Sequence, residues 1–79
     1  MWTVYILKSV EKLIYVGMTQ NIVQRLDEHN SGKSYYTKRG RNWMMVYSET
    51  LDSSKEARKR EKYFKNTAGK EWLKRRGII

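Results

Sequence analysis

Residues 13–30 read L-I-Y-V-G-M-T-Q-N-I-V-Q-R-L-D-E-H-N, and the change of pattern inside this stretch decides the fold. An apolar, partly β-branched run from Leu13 to Met18 reads as a strand interrupted by Gly17. Thr19-Gln20-Asn21 is a turn, with Asn21 a good N-cap and Gln24 at capping-box spacing. The spacing predicts a helix to about Asn30, stopped by Ser31-Gly32. Arg25 and His29 are four residues apart, so they stand one above the other on a helix. Ile22 and Leu26 fall within about 60° of both, which places the two basic side chains beside the buried stripe. A strand carrying Tyr15 and a helix carrying Arg25 and His29 to one place make a candidate site. For His29 a helix-terminal histidine that only bonds a neighbour is an equal reading.

Upstream, Trp2 to Ser9 is dense in β-formers and mostly apolar, which fits a well-covered strand. Val10-Glu11-Lys12 joins it to the strand at Leu13 as a hairpin. If Ser9 pairs with Leu13, then Leu7 faces Tyr15 and Tyr5 faces Gly17. Side chains alternate along a strand, so Tyr5 and Tyr15 then share one face and the glycine leaves a gap beside Tyr5. Ordinary half-buried packing is the competing reading of the two tyrosines.

Seventy-nine residues are expected to form one domain, residues 1–79, with a single small core. There is no cysteine, hence neither a disulfide nor a thiolate zinc site, and three Trp, six Tyr and one Phe must supply the packing. Seventeen Lys and Arg against eight Asp and Glu give a formal net charge of +9, which calls for a polyanionic partner, nucleic acid before an anionic membrane surface. The opening M-W-T-V-Y-I-L-K is too short to span a membrane and lacks the features of a signal peptide. A cytoplasmic location with no membrane partner is therefore expected.

Downstream, Gly32 to Asn42 (G-K-S-Y-Y-T-K-R-G-R-N) holds four cations, two tyrosines and no acid. Cations interleaved with aromatic and hydroxyl residues suit phosphate contact and base stacking, so Lys33, Tyr36, Lys38, Arg39 and Arg41 are candidate nucleic-acid contacts. Trp43 to Thr50 is a third strand. Ser53 and Glu56 match a capping box for a helix from Ser54 to about Lys65, whose apolar stripe is marked by Ala57 and Phe64. Glu61 lies about 40° from Ala57 on that helix, on the buried edge of an otherwise cationic element. An inward carboxylate is costly unless paired or bound to metal. It either salt-bridges Arg25 or Arg58, or serves as a hard oxygen ligand for Mg²⁺ or Mn²⁺. Thr67-Ala68-Gly69 is expected to cap a last helix, Ala68 to about Arg76, packing through Trp72 and Leu73. Lys65, Asn66 and Lys70, where the two helices meet, are further candidate contacts.

Taken in order, the chain offers T-V-Y at 3–5, Y-V-G at 15–17, R-x-x-x-H at 25–29 and a lone inward Glu61. The loop G-K-S-x-x-T-K-x-x-x-x-W and the tail R-E-K-Y-F-K-N-T-A-G-K accompany them. This pattern resembles the GIY-YIG nuclease superfamily over essentially the whole chain, and most closely its small single-domain branch, related to the catalytic module of the bacterial excision-repair nuclease subunit. The resemblance implies an α+β fold, a small three-stranded antiparallel sheet flanked by three helices in the order β-β-α-β-α-α. It also implies DNA phosphodiester hydrolysis with one divalent metal, Mg²⁺ or Mn²⁺. Tyr5 and Tyr15 match the tyrosines of the two motifs, Gly17 the motif glycine, Arg25 and His29 the helix pair, and Glu61 the metal-binding glutamate. The first motif departs from its pattern at Thr3 and Val4, which touches strand packing more than chemistry. Many relatives also use a late asparagine near the metal, for which Asn66 is the nearest candidate here.

On this reading Glu61 holds the metal, Arg25 offers a planar fork of donors to the phosphate, and Tyr5 deprotonates a water, with Tyr15 positioning it or sharing the role. A free tyrosine has a pKa near 10, so the base role requires a cationic field around the phenolate. His29 orients a tyrosine or relays its proton. The alternative is a non-catalytic basic nucleic-acid-binding module of the same fold, and a third is an RNA-coating protein. With no further domain to read bases, such a module should bind weakly. It would prefer branched or distorted DNA through its shape, or take its specificity from a protein partner.

Overall fold

The structure is a computed structural model, and it describes residues 1–31 and 42–79. Strand β1 (Trp2–Lys8) lies between β2 (Ile14–Thr19) and β3 (Met44–Leu51) in an antiparallel sheet ordered β2-β1-β3. Helix α1 (Ile22–Asn30) follows β2, and α2 (Ser54–Lys65) and α3 (Thr67–Arg75) follow β3. This is the α+β architecture and element order that the sequence implied.

The hairpin register places Tyr5 opposite Gly17 and Leu7 opposite Tyr15. Ser9 closes the turn: its backbone N–H donates to the Leu13 carbonyl, and its Oγ accepts from the Leu13 N–H. Because β1 is central and covered on both faces, its residues 4 to 7 are all fully buried, yet they divide by parity. Val4 and Ile6 pack with Val16, Ala57, Phe64 and Leu73 against α2 and α3. Tyr5 and Leu7 pack on the other face with Trp43, flanked by Tyr15, Ile22 and Leu26 of the α1 side. The two tyrosines thus share the α1 face.

Several boundaries differ from expectation for identifiable reasons. The third strand begins at Met44, because the backbone of Trp43 is held elsewhere. The Asn30 side-chain amide accepts from the Trp43 N–H at 2.7 Å and donates to its carbonyl at 3.2 Å. One amide satisfies both backbone groups and takes this residue out of the ladder. Val46 is a bulge, since Ile6 faces Tyr47 while Leu7 faces Met45. The last helix starts one residue before the predicted Ala68, because its cap is Asn66, whose Oδ1 accepts from the Gly69 N–H at 3.1 Å. Gly69 sits inside the first turn of α3, where a side chain would strike the Tyr63 carbonyl and lie 2.6 Å from the Phe64 Cα. The expected caps at Asn21 and Ser53 form, accepting from the Gln24 and Glu56 N–H groups.

Candidate active site

Four predicted site residues meet on the α1 face of the sheet. β1 brings Tyr5, β2 brings Tyr15, and one face of α1 brings Arg25 and His29. The Tyr5 hydroxyl and His29 Nε2 share a hydrogen bond of 2.9 Å, and both residues are buried. The Tyr15 ring lies 4.6 Å from the His29 ring and 6.1 Å from that of Tyr5, centroid to centroid. Gly17 makes this closeness possible. A methyl group there would sit 2.6 Å from the Tyr5 Oη and 2.8 Å from a Tyr15 ring carbon. The gap read from the strand register is real, and the tyrosines fill it.

Burial and one cation set the electrostatics. Burial pushes the Tyr5 phenol up to about 12, against the opposing pull of Arg25. His29 is pushed down to about 4, first by burial and then by the Arg25 charge, so it is a neutral imidazole at neutral pH. Burial alone would lower the pKa of Arg25, but its contacts with Tyr5, Tyr15 and Glu28 outweigh that and raise it. Glu28 lies 3.3 Å from Arg25 Nη1 on the same helix. The i,i+3 pairing of opposite charges is legible in R-L-D-E and would have found this holder. A guanidinium fixed beside two phenols is a preformed donor set for an oxyanion.

Glu61 stands outside this cluster. Its helix packs on the opposite face of the sheet, and its side chain, 18 % exposed, lies 3.5 Å from the Lys65 ammonium. The ion pair expected with Arg25 or Arg58 is made instead with Lys65, one turn on along the same helix. Its partner Lys65 lines a cleft of about 370 Å³ at β2, together with Ile14, Tyr15, Val16 and Lys70. Among the described residues no three His, Cys, Asp or Glu side chains converge. A single half-buried carboxylate still suits Mg²⁺ or Mn²⁺, which take one or two carboxylates and complete their shell with water and substrate phosphate.

Of the residues expected to contact nucleic acid, Lys65 and Lys70 line this cleft, whereas the acceptor oxygen of Asn66 is engaged as a cap. Lys33, Tyr36, Lys38, Arg39 and Arg41 lie outside the described residues. Sequence reasoning missed the Asn30–Trp43 clasp, since an asparagine that ends a helix carries no signal of a partner thirteen residues away.

The profile of the GIY-YIG catalytic domain matches residues 1–75. The chain belongs to the GIY-YIG family. GIY-YIG relatives include a UPF0213 protein of Desulfotalea psychrophila, 44 % identical over 62 residues, which are 76 % of this chain and 56 % of that protein. A UPF0213 protein of Syntrophus aciditrophicus is 44 % identical over 72 residues, 89 % of this chain and 83 % of that one. The solution NMR structure of a UPF0213 protein from Bacillus halodurans superposes with a TM-score of 0.56 at 32 % identity, covering 92 % of this chain and 82 % of the other. The GIY-YIG domain is a nuclease fold. The departure at the first motif is a packing matter here, since Val4 belongs to the core against α2 and α3.

Proposed function

We propose that this GIY-YIG domain is a metal-dependent DNA endonuclease. The observation that carries the reading is the convergence of Tyr5, Tyr15, Arg25 and His29 around Gly17, an arrangement a purely binding module does not need. Arg25 receives the scissile phosphate with its fork of donors, its orientation held by Glu28 and the two phenols. Tyr15, partly exposed and facing the cleft, meets the attacking water. Tyr5 has no exposed surface and its hydroxyl shares a hydrogen bond with His29 Nε2, so the pair orients Tyr15 and Arg25 from behind. Glu61 would hold the divalent ion, Mg²⁺ or Mn²⁺, which when bound supplies charge neutralisation at the phosphate and at the leaving oxygen. The Glu61–Lys65 pair is an exposed-edge i,i+4 contact, of about 0.3–0.5 kcal/mol, and yields easily to a metal.

Nicking of supercoiled plasmid with Mg²⁺ or Mn²⁺ against EDTA tests the reading, with Tyr5→Phe, Arg25→Ala and Glu61→Ala alongside. Metal-dependent nicking lost in the variants supports it. Equal DNA binding by all four proteins with no nicking would sink it in favour of the binding module, whose best support is the separation of Glu61 from the tyrosine cluster.

A further inference from the structure

Helix α2 carries six cations and two acids over twelve residues, and its cations divide sharply. Arg60 is committed inward: it pairs with the Glu49 carboxylate and its guanidinium stacks 4.9 Å from the Tyr63 ring and 4.7 Å from that of Phe64. Lys55, Arg58, Lys59, Lys62 and Lys65 are all exposed. At 100° per residue these five fall within a stripe about 120° wide and about 15 Å long. The two acids flank the stripe. Glu61 is about 40° beyond Lys65, on the side that meets the buried face. The stripe therefore ends at the cleft where Lys65 and Lys70 face Tyr15. The exposed positions of α1, Val23, Gln24, Asp27 and Asn30, hold no cation.

We propose that the outward face of α2 is a phosphate track for one arm of a DNA duplex, leading along Lys55, Lys59, Arg58 and Lys62 to the cleft at Lys65. The proposal rests on the nuclease reading for where the track ends, and on charge and exposure for its existence. Successive phosphates of one strand advance about 3.4 Å along the duplex axis, so 15 Å of helix spans about four of them, close to the number of cations offered. The stripe has no aromatic side chain: Tyr63 and Phe64 are turned into the protein. It lacks the stacking platform a single strand requires. An amphipathic membrane helix needs a free apolar face, and that of α2 is closed by Ala57 and Phe64, both fully buried in the core. Lysine and arginine along a helix side contact the backbone and read little sequence, so the track orients the duplex and leaves base choice aside.

The test is duplex DNA binding by the full chain across about 50–200 mM salt, comparing wild type with the combined K55Q, R58Q, K59Q and K62Q variant. Glutamine keeps helix propensity, and circular dichroism checks the fold. The slope of log K against log salt should become shallower by about 3 to 4, at about 0.9 per phosphate contact. A variant with the same charge removed elsewhere (K8Q, K12Q, K74Q, R75Q) should change it by less than half as much. Equal slopes in the two variants, single strands bound as tightly as duplex with the same loss, or loss confined to anionic vesicles would each overturn the track. Wild-type protein that fails to nick DNA while the stripe variant loses its slope would refute the nuclease reading and support the track. Nicking with an unchanged slope would do the reverse.

Discussion

Replacing Gly17 by alanine isolates the packing on which the site depends. In a strand interior that change ordinarily gains about 0.5–1 kcal/mol, because glycine loses more backbone freedom on folding. Here the added methyl would stand 2.6 Å from the Tyr5 Oη, 2.8 Å from the Tyr5 Cζ and 2.8 Å from the Tyr15 Cε2. Ordinary contact begins near 3.4 Å, so the phenol must move by about 0.8 Å. Tyr5 is fully buried and tied to His29 at 2.9 Å, so a move of that size strains the core or breaks the bond. Overpacking costs about 1–3 kcal/mol and loss of a buried hydrogen bond about 1 kcal/mol or more. The net is a destabilisation of about 2 kcal/mol, a fall in Tm of about 8–16 °C for a domain of this size. Urea and thermal unfolding measure it directly. Tyr5→Phe removes the atom at 2.6 Å and leaves those at 2.8 Å, so a double-mutant cycle should recover about 1 kcal/mol of the penalty. A neutral or stabilising Gly17→Ala, or strict additivity with Tyr5→Phe, would refute the account of why this position is glycine.

The buried pair also sets the pH dependence of stability. His29 titrates near 6.5 when unfolded and near 4 when folded, so its contribution is present above pH 6.5 and is lost as pH falls toward 4, by about 3 kcal/mol in all. Urea titrations should show a shallower acid limb in His29→Gln, and an unchanged limb would refute the assignment. Tyr5 behaves oppositely: its folded pKa is raised to about 12 from 10, so stability is held below pH 10 and lost as pH rises toward 12, a loss that Tyr5→Phe should abolish. Asn66→Ala should cost about 1 kcal/mol and Asn66→Asp much less, because only the cap acceptor matters; equal losses by thermal melting would point to another role. Gly69→Ala should be the more damaging glycine change, about 3 kcal/mol or more, since the obstacle is α2 backbone and not a movable side chain; full stability on unfolding would contradict the helix packing. Arg60→Lys should lose nearly as much as Arg60→Ala, about 1–2 kcal/mol, because an ammonium reproduces neither the paired contact with Glu49 nor the stacking on Tyr63 and Phe64.

What the sequence disclosed followed from periodicity, and what it hid depended on partners far along the chain. Alternation in β1 and one hairpin register were enough to place Tyr5 and Tyr15 on the same face and to give Gly17 its reason. Helical spacing did the same for Arg25 and His29. Glu61 shows where that reasoning stops. Its angle on α2 marked it as inward, correctly, but angle on a helix says nothing about which face of the sheet the helix covers. Because α1 and α2 take opposite faces, an acid aimed at the core from α2 is not aimed at the tyrosines. On the proposed reading, substrate arriving along the β2 edge would meet Lys65 and Tyr15 in one cleft, with Glu61 beside Lys65. If the proposed reading holds, a site divided by a sheet would be assembled by what binds there, which would account for a half-buried carboxylate resting on a lysine while the tyrosine cluster is already packed.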